Sequence, residues 1–468
     1  MKNNYNINED ALFCVTGDPF VDAGGYALRE LASQFPNKDI LELIMLATEI
    51  YVDKWEAKIN PYFLNSNITQ PAFDFARKKS ETKAYFERML NGNLPSQKGY
   101  CRITGMYTDL YPSGRYNTVL SGSGKFVNFH HSFAHGMMLS KEALIRYHFL
   151  PLASELVSSK VSVISSSSTI VAELYARRCC ARVLSDIGMN QSQGILKSRS
   201  RSVGTAIFRF LDDVYTNYKD EGNGDSITLY HFTNFGASPE VEIYTLPSKV
   251  FLFYRICNNA IYKKEWNDFV AHYYKSGDYK NISFDVSSGC YKVSNKSGNI
   301  IIREPEYKYW RNVVYDKLLS GECILRMILQ YSRESIFNLE LLRNYLINIH
   351  NMKKETVDKI YQISDFITQT YDESEMKNII RSLDGIKNPY LLRRFILKKV
   401  IAKNYMQGNN VLVSVEDYVN YLFPDTNSWM EVRDVLLIAI YQRLHERHLN
   451  VDVEAETETD DNFGDDVE

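Results

Sequence analysis

Thr16 to Gly25 reads TGDPFVDAGG, and the fold of the N-terminal part turns on this decapeptide. The preceding Ala11 to Val15 is a short apolar run that predicts a buried strand. Thr16 to Asp22 then makes a turn, with Asp22 placed to cap a helix beginning at Ala23. Gly24 and Gly25 let that helix lie close against its packing partner. Strand, glycine turn and helix in that order resemble a phosphate-binding loop. The chemistry argues otherwise: there is no Gly-x-Gly-x-x-Gly and no Gly-Lys-Ser/Thr, and Asp18 and Asp22 would repel a phosphate. The decapeptide is therefore read as a structural turn.

Outward from this turn, apolar spacing predicts helices over 40–55 and 73–90, the second following the Pro71 break. Periodicity collapses from 91 to 128, where Gly92, Pro95, Gly99, Gly105, Pro112, Gly114, Gly122 and Gly124 predict an irregular insert. Helical spacing resumes over 139–158 and 170–187, separated by the serine run Ser165 to Ser168. Strands are expected at 226–232 and 240–245, and a strand pair over 282–302. After Pro305 one helical pattern follows another up to Leu449, with breaks near Ser332, Met352, Tyr371, Asn388-Pro389, Gly408-Asn409 and Pro424, and a capping box at Ser414 and Asp417. The expected class is α+β: an N-terminal α+β domain over 1–304 containing the insert 91–138, a C-terminal helical bundle over 305–450, and a disordered acidic tail over 451–468.

The 468 residues carry a formal charge of −3. The tail from Asp452 to Glu468 holds nine acids and no base; without it 54 bases face 48 acids, so the body is +6. A mildly basic body with an acidic tail suits a polyanion partner. Tyr (33) and Phe (24) supply many flat faces, most of which should pack the core. Seven scattered cysteines with no Cys-x-x-Cys suggest a reducing cytoplasm, and no stretch has the apolar length of a signal core or a membrane span.

Cys101, His130, His131 and His135 are the best candidates for a metal, since sulfur and imidazole are zinc's preferred ligands. No pair of carboxylates sits in a nuclease setting, and no Gly-x-Ser-x-Gly, His-Glu-x-x-His or Walker loop occurs. Polyanion-binding segments are easier to find. LKSRSRS, Leu196 to Ser202, alternates Lys197, Arg199 and Arg201 with hydroxyls, so an extended backbone would set the three cations on one side as a phosphate track. From Lys98 to His131 the chain offers Lys98, Arg102, Arg115, Lys125, Asn128 and His131 as donors among glycines, with Tyr107, Tyr111 and Tyr116 able to stack on bases. Gly385 to Val415 contains Lys387, Arg393, Arg394, Lys398, Lys399 and Lys403 and no acid; at 100° per residue these cations, Arg394 and Lys398 among them, are expected to spread round the helix.

A second stretch, YHFTNFGASPEVEIYTLPSKVFLF from Tyr230 to Phe253, joins the decapeptide in a resemblance. Together they resemble the large subunit of type I-B CRISPR interference (Cascade) complexes, a family named for a paired Cys-x-x-Cys element, over roughly the first 255 residues. The chain departs from the family at that element: Cys101 to Gly105 reads CRITG, with Thr104 at the second cysteine, and Ser140 and Ala143 stand where the second pair belongs. The resemblance thus implies a decayed zinc-finger-like insert that binds no metal, and no cofactor is expected. It further implies a non-catalytic subunit that clamps the 5′ region of a CRISPR guide RNA, recognises the protospacer-adjacent motif of a double-stranded DNA target and aids strand opening, while base pairing reads the rest of the sequence. Other Cascade subunits and a recruited helicase-nuclease would be its partners. The bundle would take the small-subunit role, with Met327 and Met352 placed as internal starts. The alternatives are a metal-dependent nuclease or RNA-processing enzyme, and a structural scaffold that docks a partner through its acidic tail.

Overall fold

The computed structural model describes residues 4–121, 136–217, 225–234, 240–295, 298–408, 410–424 and 429–449. The class is α+β. Contacts divide the chain into two units: 1–252 with 274–320, and 253–273 with 321–468. Where the sequence suggests a boundary at 304/305, residues 305–320 go with the first unit and 253–273 with the helical second one. The acidic tail, 451–468, lies outside the described residues.

In the first unit the decapeptide builds differently from its sequence reading. Ala11 to Val15 is not a strand: Glu9–Phe13 is a short helix, α1, whose N-cap Asn8 accepts the Ala11 N–H. A five-residue apolar run has no period to tell strand from helix. The next helix, α2 (Pro19–Gln34), starts four residues earlier than expected, because Asp18 rather than Asp22 is its N-cap. Asp18 accepts the N–H groups of Phe20 (3.0 Å) and Val21 (2.8 Å), and Pro19 fills the first helical position.

Asp22 is thereby free for another role. Its carboxylate reaches back to the turn, accepting the Thr16 N–H (2.9 Å), the Thr16 hydroxyl (2.8 Å) and the Gly17 N–H (2.9 Å). Its second partner is Arg146, 1% exposed, whose Nη2 donates to Asp22 at 2.6 Å. The same guanidinium donates to the carbonyls of Val21 (3.0 Å), Cys14 (2.9 Å) and Ala11 (3.3 Å), so every one of these bonds lands on α1, α2 or the turn between them. Arg146 belongs to α5 (Lys141–Phe149), and the close approach expected of Gly24 and Gly25 is to this helix. A Cβ on Gly24 would lie 1.9 Å from the Arg146 carbonyl oxygen, and one on Gly25 2.7 Å from its Nε.

Between these helices come α3 (Ile40–Glu49), closed by a capping box at Asp39 and Glu42 and continued by a π turn, and α4 (Phe75–Leu90). Where an irregular insert is expected, β1 (Gln97–Tyr100), β2 (Tyr107–Ser113) and β3 (Met137–Ser140) form an antiparallel sheet. The helix expected over 139–158 ends at Phe149 because Pro151 breaks it, and the chain enters β4 (Glu155–Val157). β5 (Lys160–Ser166), hidden in the sequence by its serines, pairs β4 on one side and β6 (Ile227–Thr233) on the other, and β7 (Glu240–Leu246) closes a four-stranded antiparallel sheet. α6 (Thr169–Gly188) and α7 (Val203–Asn217) complete this part. The strand pair expected at 282–302 is three strands, β8 (Ile282–Asp285), β9 (Cys290–Asn295) and β10 (Gly298–Ile302). Phe20 of the decapeptide packs edge-on against Tyr230 and Phe232 of β6, with centroids 5.5 and 5.1 Å apart, so the two stretches that carry the resemblance touch in the fold.

The second unit is helical. Trp266 of α8 (Lys263–Ala271) is buried among Phe253, Tyr254 and Phe269. α9 (Leu325–Ser332), α10 (Leu339–Asn348), α11 (Lys354–Thr370), α12 (Glu373–Asp384) and α13 (Pro389–Phe395) follow. α14 (Trp429–Glu446) is buried almost all round and forms the centre of the unit. Asn388 caps α13 ahead of Pro389, and Ser414 and Asp417 form the expected capping box.

Gly24→Ala should cost at least about 3 kcal/mol, the upper end of overpacking penalties, because its new methyl meets backbone. Gly17→Ala, at φ +86° in open space, should cost only about 1–2 kcal/mol. Arg146→Met should cost about 3–5 kcal/mol by stranding the Asp22 carboxylate. Urea unfolding of the three variants measures this ranking.

Candidate nucleic-acid interface

The β1–β2 hairpin brings part of the predicted recognition segment together. Lys98 sits directly across from Asp109 and pairs with it at 3.0 Å, so this cation is engaged in holding the hairpin. Arg102 is exposed in the turn between the strands. Tyr100 and Tyr107, also cross-strand neighbours, are 72% and 64% exposed and meet edge-on at 5.1 Å. The sequence reading passes over Tyr100, although alternation along β1 and β2 sets it beside Tyr107. Tyr111 is a core residue, and Tyr116 donates its hydroxyl to the Pro112 carbonyl, so neither offers the open ring face expected of it. Arg115 is half-buried, and its carbonyl accepts the Leu64 N–H at 2.7 Å. Lys125, Asn128 and His131 lie outside the described residues, as do His130 and His135.

Cys101 begins the same turn. Its Sγ accepts the N–H groups of Thr104 (3.5 Å) and Ser140 (3.4 Å), so the two segments that the resemblance pairs do converge on one sulfur. Burial opposes ionisation of this thiol, but bonds from the Thr104 hydroxyl and from the Thr104, Ser140 and Ile103 N–H groups outweigh it and hold its pKa below the ordinary value. Ser140 spends its hydroxyl capping α5, and among the described residues no cluster of three or more His, Cys, Asp or Glu side chains can hold a metal ion. A hydroxyl at 104 and a methyl at 143 do not make up a zinc ligand set with one cysteine.

The Lys197–Arg201 track is an ordered, extended segment laid along β4. The Leu156 N–H donates to the Leu196 carbonyl and the Ser198 N–H to the Leu156 carbonyl, both at 2.8 Å. Its cations do not act as one row. Arg201 is ion-paired with Asp278, Lys197 is exposed, and Arg199 alone of the three lines a cleft of about 370 Å³. Arg178 and Arg182, one turn apart on α6, Arg209 on α7, and Lys308 and Tyr309 line the same cleft. Five cations there face three carboxylates. Glu155, buried at the edge of β4, holds Arg182 at 2.9 Å and Arg178 at 3.8 Å; Asp213 also pairs with Arg178, and Asp212 with Arg209 at 2.8 Å. Arg178 Nε is buried with no hydrogen-bond partner among the described residues. Arg199 and Lys308 approach the ring of Tyr309 at 5.9 and 5.6 Å, and neither is in an ion pair among the described residues. Hydrogen bonds from the Arg201 N–H to the Tyr309 carbonyl (2.9 Å) and from the Thr205 hydroxyl to the Trp310 carbonyl (2.7 Å) fix the walls. The cleft thus combines uncommitted positive charge with an aromatic ring, the pairing that suits a phosphate and its base.

In the second unit, Leu392, Phe395, Ile396 and Val400 are buried, and Arg393, Arg394, Lys398 and Lys399 are exposed. The expected spread of charge round the helix is therefore corrected: the buried apolar side confines the cations to the solvent side, across a π segment over 396–401 that shifts the helical phase. Arg393 lies over the Phe423 ring at 5.3 Å, while Arg394 and Lys398 have no ion-pair partner among the described residues. Tyr390 and Tyr405 are exposed near them.

This basic face lies in the part of the chain that has a recognisable relative. Residues 340–468 match the DevT C-terminal domain. The comparison with curated proteins gave no match. The DevT match takes in Arg394 and Lys398 and the helices from α10 to α14; the cleft and the tyrosine hairpin fall before it.

Replacing Arg199 and Lys308 together by alanine should weaken nucleic-acid binding of any sequence. The slope of log affinity against log salt should fall by roughly 0.7–0.9 for each phosphate that no longer meets a cation. Arg201→Ala, whose cation is committed to Asp278, should leave the slope unchanged. Fluorescence anisotropy with a labelled oligonucleotide across a salt series distinguishes the two.

Proposed function

We propose that this chain is the non-catalytic large subunit of a CRISPR RNA-guided DNA surveillance complex of the type I-B kind, working in the cytoplasm beside other Cascade subunits. In this reading it holds the 5′ region of the guide RNA, recognises the protospacer-adjacent motif on double-stranded DNA and assists strand opening, and a recruited helicase-nuclease performs the cleavage. The observation that carries the reading is the match of residues 340–468 to the DevT C-terminal domain, a domain of a Cascade-related protein, in a chain whose first 255 residues independently resemble the large subunit. The cationic cleft around Tyr309 and the basic face around Arg394 supply phosphate contacts, which position a nucleic acid without reading it. The exposed Tyr100, Arg102 and Tyr107 of the hairpin supply rings and a guanidinium suited to base edges.

The test is binding of the full chain to a guide RNA with its 5′ repeat-derived region intact or scrambled, and, with the guide complex assembled, to target duplexes with and without the flanking motif. Preference for the intact guide and the flanked duplex, with no cleavage in Mg²⁺ or Mn²⁺, is the expected result. Cleavage by the chain alone would establish the nuclease alternative, and absence of salt-sensitive binding to either nucleic acid would establish the scaffold. Arg102→Ala should narrow the difference between flanked and unflanked duplexes by about 1–3 kcal/mol if it makes a bidentate bond to a base.

A further inference from the structure

The helical unit contains a cysteine, a histidine and a carboxylate arranged as nucleophile, base and orienting group, none of them a residue of the surfaces described above. Cys323 is exposed in the turn that leads into α9, next to Gly321 at φ +75°. Its Sγ accepts the Leu325 N–H at 3.5 Å and the Tyr345 hydroxyl at 3.6 Å, and it is hydrogen-bonded to the imidazole of His350. His350 follows the end of α10, and its Nε2 meets Glu431 Oε1, in the first turn of α14, at 3.0 Å. The Tyr345 ring lies beside the imidazole, with centroids 6.3 Å apart and planes 13° from parallel. Three segments far apart in sequence thus place an imidazole between a thiol and a carboxylate, the arrangement that activates a cysteine.

The electrostatics agree with the geometry. Burial opposes ionisation of Cys323, but its bonds from His350, the Leu325 N–H and Tyr345, with the imidazolium charge, lower its pKa. His350 is pushed up to about 10, by its bond to Cys323 first and by Glu431 second. His350 is the charged neighbour that bears on the thiol, with Glu431 against its far nitrogen and Glu322 and Arg326 beside Cys323 in sequence. No other described cysteine has this setting. Cys101, whose pKa is also lowered, is buried and takes its bonds from Thr104 and backbone N–H groups with no imidazole; Cys179, Cys180 and Cys257 are buried with raised pKa values, Cys290 donates to the Ser288 carbonyl, and Cys14, though exposed, has only the Ala11 carbonyl at 3.9 Å.

We propose that Cys323 is a modification site, a thiol set beside an imidazole that exchanges with low-molecular-weight disulfides. The Cys323 sulfur attacks one sulfur of RS–SR; a Cys323–S–S–R bond forms as the RS–SR bond breaks. The electron pair leaves on RS⁻, which takes the proton of the His350 imidazolium and departs as RSH. The Cys323 sulfur is oxidised and the released thiol is the reduced product, so the reagent supplies the whole redox balance.

The experiment exposes the full chain to glutathione disulfide at pH 6.5, quenches with acid and measures each cysteine's occupancy by peptide mass spectrometry. Cys323 should be modified at least about tenfold faster than the exposed Cys14, and the pH midpoint of its alkylation by iodoacetamide should lie below that of Cys14. A smaller ratio, or a midpoint at or above that of Cys14, overturns the proposal without recourse to any variant. His350→Gln, with its fold checked by circular dichroism, should bring the rate and midpoint of Cys323 to those of Cys14. Retention of both wild-type values in that variant would equally overturn the assignment.

Discussion

The first unit depends on one buried ion pair. Arg146 of α5 enters a space bounded by α1, the Thr16–Gly17 turn and α2, where Asp22 neutralises it and three carbonyls take its remaining hydrogen bonds. Burying a guanidinium and a carboxylate is costly unless both are hydrogen-bonded, and here every guanidinium nitrogen and both carboxylate oxygens have a partner. That requirement admits one geometry. α2 must lie against α5 closely enough that positions 24 and 25 have no room for a side chain, and the turn must point two N–H groups at Asp22. The decapeptide is thus a description of this pair: Thr16 and Gly17 to make the turn, Asp18 and Pro19 to start the helix, Asp22 as counter-ion, and the glycines for clearance. With α2 fixed, Phe20 reaches the rings of β6, and the four-stranded sheet is tied to the amino-terminal helices.

How much of this is legible in the sequence follows from the range over which each signal acts. The close approach at Gly24 and Gly25, the break at Asn388-Pro389 and the Ser414 cap are readable because glycine clearance, proline breaks and capping are local properties. Sequence alone puts Asp22 at the helix start because two aspartates stand four residues apart, and only the distant Arg146 decides which is the cap and which the counter-ion. The residues of the insert read as irregular because glycine and proline mask the alternation of β1 and β2, whose pairing is fixed by register with β3 beyond them. LKSRSRS announces its charge correctly but not its use: Asp278 takes Arg201, and the cations that join Arg199 in the cleft come from α6, α7 and the Lys308–Tyr309 turn. Several of these stand near a carboxylate that conceals them in sequence. In the bundle the cations sort to one side because four apolar residues are buried on the other, and a π segment shifts the phase that a regular 100° step assumes.

Under the proposed function the charge pattern has a definite use. Acidic partners in the cleft hold arginines in place without neutralising the set, leaving Arg199 and Lys308 beside Tyr309 for a polyanion. Burying Glu155 between two arginines is a way to orient a cationic wall before any ligand arrives, which reduces the ordering cost of binding. The second unit presents Arg394 and Lys398 without such partners among the described residues, a face suited to looser, sequence-independent phosphate contact.

The most direct measurement is ultraviolet cross-linking of the full chain to a CRISPR guide RNA and a flanked target duplex, with the linked peptides identified by mass spectrometry. Under the proposed function, links are expected at Tyr100 or Tyr107, at Tyr309, and within the stretch from Tyr390 to Tyr405. Cross-links confined to other surfaces, or none under conditions where an established nucleic-acid-binding protein is linked, would contradict it.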